Sequence, residues 1–164
     1  MSMSAYKFPY YRTSRISSPF FYKFKNLPLI KIGLLKDGRV TKPESFIDTG
    51  AQYCMFNNAY AKYLGINSYK DVPNDHIMPI MGIGGRSVCN MAYFHKVDLL
   101  VYHDQKHLEQ KNAIITKDVD VAFLEKEFDV GGILGVYGFL DRFVFKTNIQ
   151  AGFFELEPVF DVTK

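Results

Sequence analysis

Asp48-Thr49-Gly50-Ala51 is the stretch of this chain best suited to chemistry. It follows the apolar run Ser45-Phe46-Ile47 and occurs once. An aspartate that ends a buried strand and turns through Thr-Gly sits at the floor of a cleft. Two carboxylates held face to face can share one proton and work as an acid and base pair. This chain supplies one such aspartate, so a second would have to come from another copy of the chain. Other chemistries have less support. His76, His95, His103 and His107 are spread over different segments, and no Ser or Cys nucleophile stands out beside them. Cys54 and Cys89 do not form a disulfide framework and have no partners at metal-ligand spacing, so no metal and no cofactor are expected. Cys54 lies close to Asp48 in sequence and is read as a small buried thiol.

The elements that must position Asp48 are short. Phe20, Tyr22 and Phe24 recur at period two and predict a strand over 20–25. Leu29-Ile30-Lys31-Ile32-Gly33 predicts a second, and Asp37-Gly38 supplies the positive φ of a hairpin turn. The returning strand runs into Asp48. Asn57 or Asn58 is placed to cap a helix over 59–64, with Gly65 as its stop. Residues 67–77 read as a loop. Gly82-Ile83-Gly84-Gly85, between apolar flanks, suits a hairpin tip. A strand is expected over 97–102, a helix over 121–128 from the spacing of Val121, Leu124 and Phe128, a helical turn over 139–143, and a last strand over 153–156. Tyr137, Phe139, Phe143 and Phe145 are expected in core or subunit contacts. The prevailing pattern of short strands and turns predicts a mainly β fold with one or two short helices.

The chain has 164 residues, 48% hydrophobic and 16% aromatic, which suits one well-cored domain. Its longest apolar runs fall well short of a membrane span. Residues 1–7 lack an apolar core and a small-residue cleavage site, so no secretory signal is expected, and two cysteines fit a reducing, cytoplasmic location. Residues 1–43 carry nine Lys/Arg and one acid, about +8, whereas residues 44–164 carry eleven Lys/Arg and sixteen acids, about −5. Residues 1–25 therefore read as a basic, aromatic arm before a domain over 26–164. Its basic residues are scattered, so the arm is read as lying on an acidic protein body rather than on nucleic acid or a membrane.

Three separated signals stand in order: Asp48-Thr49-Gly50-Ala51, the 82–85 hairpin, and Ile133-Leu134-Gly135. Together they resemble the retropepsin-like aspartic proteases, over roughly residues 26–157. Pro28-Leu29-Ile30-Lys31-Ile32-Gly33 leads in much as that family's first strand does. The resemblance implies a closed β-barrel protomer, a homodimer and an aspartic endopeptidase. It implies Asp48 as the catalytic carboxylate and Thr49, Gly50 and Ala51 as its supporting turn. Gly82, Ile83, Gly84 and Gly85 would form a flap over an extended peptide or protein substrate, and Ile133, Leu134 and Gly135 would pack behind the active site. Gln52 and Val136 depart from the pattern, since retroviral members often carry an acid and an arginine in those places. A longer 67–77 loop and an extra Gly138 also make the chain look more like a cellular relative than a viral one. The alternative is a non-catalytic module of the same fold, used for peptide binding or dimerisation.

Overall fold

Asp37 and Gly38 take φ of 48° and 77°, the paired left-handed conformation that lets a two-residue turn follow the natural twist of its strands. They join β4 (Leu29–Lys36) to β5 (Arg39–Thr41). The computed structural model describes residues 5–14, 24–82 and 85–159, with backbone alone for 12–14, 24–25, 82 and 85–88. Before β4 come β1 (Tyr6–Pro9), β2 (Tyr11–Ser14) and β3 (Phe24–Leu27). After β5 come β6 (Glu44–Ile47), β7 (Cys54–Asn57), α1 (Ala59–Tyr63), β8 (Ile77–Gly82) and β9 (Gly85–Tyr102). The chain then runs through β10 (Ala113–Leu124), β11 (Gly132–Leu134), β12 (Phe143–Asn148) and β13 (Phe153–Pro158).

Six of these strands close into a barrel in the order β4-β6-β11-β7-β10-β9, with β9 pairing back to β4. The pairs β6–β11 and β7–β10 are parallel and the others antiparallel. Closure removes the exposed edges that an open sheet would present. Ile32, Leu34, Phe56, Leu99, Phe123 and Leu134 fill the interior and are fully buried. Each such side chain contributes about 1.5–3 kcal/mol relative to leaving it in water. A second sheet, β1-β13-β12, packs its apolar residues into the same core, with Phe8 stacked on Phe154 at 5.4 Å between centroids. Thus β1 and Phe8, which lie within the stretch expected to be an arm, belong to this sheet and to the core.

Four expectations are revised. Residues 121–124 are strand, the end of β10, and 125–128 are loop, so no helix spans 121–128. Val121 and Phe123 face the barrel interior while Ala122 and Leu124 belong to a second buried cluster on the other face. A strand buried on both faces loses the period-two signal, and the spacing of Val121, Leu124 and Phe128 then imitates a helix. The strand expected over 97–102 is the end of the much longer β9. Residues 138–142 are turn with no regular helix: within the expected 139–143 the Arg142 N–H closes a single turn on the Phe139 carbonyl at 2.9 Å, and wider turns precede it. The N–H groups of Leu140 and Asp141 reach back five residues, to the carbonyls of Gly135 and Val136, and Gly138 stands at φ 90°. Asn58 precedes α1 but its side chain does not cap it. Gly65 does end that helix, with φ 78° and its N–H on the Lys62 carbonyl.

Candidate active site

The turn that carries Asp48 is fixed at both ends by backbone. Ile47 is buried at the end of β6, and the Asp48 N–H donates to the Leu134 carbonyl at 3.1 Å, continuing the parallel pairing of β6 with β11. The Ala51 N–H donates back to the Asp48 carbonyl at 3.2 Å and closes the turn. Oδ1 of Asp48 accepts the Gly50 N–H at 2.8 Å. Short acidic side chains favour this local bond, and it fixes the carboxylate on its own turn. Asp48 is half-buried, whereas Thr49 and Gly50 are exposed.

Behind the turn, Gly135 follows β11 and touches backbone. A Cβ there would stand 2.4 Å from the Tyr53 carbonyl oxygen and 2.8 Å from that of Ala51. Only glycine allows this approach. It lets the Val136 N–H reach the Ala51 carbonyl at 2.9 Å and the Tyr137 N–H reach the Gln52 carbonyl at 2.8 Å. Two backbone bonds and the Tyr53–Tyr137 ring contact, 5.8 Å between centroids, thus join the two segments in which Gln52 and Val136 offer no ion pair. Ile133 and Leu134 face opposite ways. Leu134 is in the barrel core, and Ile133 looks into a cleft.

That cleft, about 420 Å³, runs from Asp48 past Ala51, Tyr53, Met55 and Ile133 to Met78, Ile80 and Met81 of β8. Among the described residues that line it, no Glu, His, Lys or Arg joins Asp48. The walls continue into the second buried cluster, Met55, Ala92, Ala122 and Leu124, so the cleft lies on the outside of the barrel over its own small core. At the end of β8, Gly82 pairs with Gly85 of β9. Ile83 and Gly84, expected at the flap tip, lie outside the described residues. Sequence reasoning missed Tyr53, Met55, Met78, Ile80 and Met81 as lining residues. The apolar pair Met78 and Ile80, alternating before the glycines, was the available signal.

A second missed group is a clasp of asparagines on the loop after β10. Asn57 Nδ2 donates to the carbonyls of Phe128 and Val130, each at 3.0 Å, and its Oδ1 accepts the Phe128 N–H at 3.0 Å. Asn90 repeats the pattern on Lys126, donating at 2.8 Å and accepting at 2.8 Å. Asn58 Nδ2, instead of capping α1, donates to Leu124 and Glu125. These side chains replace the strand partner the loop lacks, and they hold Phe128 against the small core. Asn57→Ala removes all three bonds and leaves the loop's partly buried groups unpaired. It should cost about 1–3 kcal/mol, read as a lower midpoint in urea unfolding with an unchanged slope.

The remaining candidates are separate from the cleft. Cys54 is fully buried, and burial pushes its thiol up to about 12, so it is not a nucleophile at neutral pH. Cys89 is exposed. His95 donates Nε2–H to the Tyr69 carbonyl at 2.8 Å and anchors the 67–77 loop, and burial lowers its pKa. His103 and His107 lie on the far loop, the latter paired with Asp104. Phe139 and Phe143 are buried in the core, Phe145 packs against it, and Tyr137 is exposed. Among the described residues no group of three or more His, Cys, Asp or Glu is placed to hold a metal ion, and no helix is long and apolar enough to cross a membrane.

No protein-family model matches the sequence, and no curated protein matches it. Among solved structures, the chain is similar to the crystal structure of a retropepsin-like aspartic protease from Rickettsia conorii. The TM-score is 0.52 at 17% identity, and the match covers 78% of this chain and 89% of that one. At this identity the likeness establishes the fold: a retropepsin-like closed β-barrel.

Proposed function

We propose that this chain is an aspartic endopeptidase that works as a homodimer. The observation that carries the reading is a half-buried aspartate, pinned by its own turn, as the one carboxylate among the described residues that line an apolar cleft against β8. Water-activating acid and base chemistry needs a second carboxylate, and a two-fold axis beside the exposed Thr49 and Gly50 would bring in the partner's copy of the same turn. Two carboxylates roughly 3 Å apart share one proton. The ionised one takes a proton from water, whose oxygen adds to the peptide carbonyl carbon, and the protonated one gives its proton to the carbonyl oxygen. Collapse of the tetrahedral adduct breaks the C–N bond, and the amine leaves with a proton. The substrate lies extended between β8 and the cleft floor, where backbone hydrogen bonds supply affinity and side-chain pockets supply selectivity.

Incubation of the purified chain with a diverse peptide mixture tests this. Cuts should fall at bonds flanked by apolar side chains, because Met55, Met78, Ile80 and Ile133 offer no charge. Specific activity should fall on dilution through the dimer dissociation constant. A fully active monomer, shown by sedimentation at the assay concentration, overturns the shared-dyad mechanism. Tight peptide binding without any cleavage favours the non-catalytic module.

A further inference from the structure

Three of the chain's six methionines meet at one cleft. Met55 comes from β7, and Met78 and Met81 come from β8. Alternation along a strand puts Met78 and Ile80 on one face and would turn Met81 away. The pairing of β8 with β9 shifts register between Ile80 and Gly82, and such an irregularity re-aims the side chain within it. Met81 accordingly lines the cleft beside Met78 and Ile80. The three differ in their access to water. Met55 is 4% exposed, Met78 is half-buried, and Met81 is 75% exposed.

Packing accounts for Met55, which fills the small core under the cleft. It does not account for Met81, where a leucine would offer the same apolar surface. A thioether adds a sulfur that can take up one oxygen. With hydrogen peroxide, the sulfur gives an electron pair to one peroxide oxygen, the O–O bond breaks, and the other oxygen leaves as water. The sulfoxide formed is polar and disrupts apolar surfaces. The thiol behind the Asp48 turn cannot answer peroxide in this way, because Cys54 is fully buried and burial pushes it up to about 12. We propose that Met81 and Met78 make the cleft peroxide-sensitive: their oxidation to sulfoxides shuts out apolar peptides, and enzymatic reduction restores access. This role rests on the cleft being the peptide site proposed above. A sulfoxide oxygen there meets apolar substrate side chains that offer it no donor once water is expelled. Methionine sulfoxide reductases return the oxygen to water as a dithiol becomes a disulfide, so the change is reversible.

The test treats the full chain with hydrogen peroxide and then with dithiothreitol. The dithiol returns a sulfenic acid or disulfide at the exposed Cys89 to the thiol and leaves sulfoxides in place. Mass spectrometry should find the added oxygen at Met81 first, at Met78 later and at Met55 last. Binding is read in the Asp48→Asn chain with a fluorescent peptide of alternating leucine and phenylalanine, bearing a lysine at each end for solubility. Its dissociation constant should rise about tenfold on oxidation. In the chain that retains Asp48, KM for the same peptide should rise by that factor with kcat little changed. The two methionine sulfoxide reductases, one for each epimer, should restore binding. In Met78→Leu with Met81→Leu, treated and untreated dissociation constants should agree. Binding unchanged once Met81 carries oxygen, a response that survives the double substitution, or a loss that dithiothreitol alone reverses overturns this role. So does a fall in melting temperature that accounts for the lost binding, because oxidation then unfolds the chain. A chain that binds the peptide in a peroxide-dependent way and cleaves nothing overturns the peptidase reading alone. An active chain indifferent to peroxide overturns the methionine role alone.

Discussion

Asp48→Asn should reduce peptide cleavage by at least about 10³-fold while leaving stability nearly unchanged, because the proposed mechanism gives both acid and base roles to this one side-chain position. Asparagine retains an oxygen that can accept the Gly50 N–H now held at 2.8 Å. The substitution therefore separates chemistry from structure. Asp48→Ala does not, since it also strips the turn of that bond. In a mixed dimer of one Asp48→Asn chain and one wild-type chain, a single ionisable carboxyl cannot act as acid and base together. Mixing wild type with an excess of Asp48→Asn should then lower activity more than simple dilution does. A variant that cleaves at near wild-type rate in a clean preparation removes Asp48 from the mechanism.

Gly135→Ala should be the most damaging methyl group that can be added near the cleft. The new carbon would lie 2.4 Å from the Tyr53 carbonyl oxygen and 2.7 Å from its carbon, atoms that no rotamer change can move aside. Relief requires β11 to part from the 51–53 segment, which breaks the Val136–Ala51 and Tyr137–Gln52 backbone bonds. Overpacking of this kind costs about 3 kcal/mol or more. For a chain of this size that lowers Tm by roughly 6–12 °C. The Asp48 turn hangs on the same segment, so activity should be lost in whatever fraction remains folded. A melting temperature equal to wild type shows that the backbone yields where the packing says it cannot.

Local chemistry made part of this molecule readable in advance. Asp37-Gly38, the lead-in strand, the aspartate turn and the glycine-bracketed Ile133-Leu134 are each fixed by backbone rules acting over a few residues, and each folds as those rules require. The cleft was harder to see. Its walls are contributed by Tyr53, Met55, Met78, Ile80 and Ile133 on four separate strands or turns, and nothing local marks them as neighbours. The end of β10 imitates a helix because both of its faces are covered, a fact of tertiary packing that erases the alternation. The asparagine clasp is hidden for a similar reason. Asn58 precedes a helix and so resembles a cap, yet its amide is drawn to carbonyls on β10 and the loop that follows. Phe8 sits in a stretch whose charge suggests solvent, but its partner Phe154 comes from the other end of the chain.

The insertion of β11 between β6 and β7 also governs when the site comes into being. Residues 45–47 and 54–57 are made first, yet the strand that separates them, and whose Leu134 carbonyl receives the Asp48 N–H, is made only after β8, β9 and β10. Pairings so distant in sequence form slowly, because loop closure must precede the contacts that reward it. A growing chain on the ribosome thus carries an Asp-Thr-Gly segment with no frame to hold it, and the cleft takes shape only after β11 has emerged.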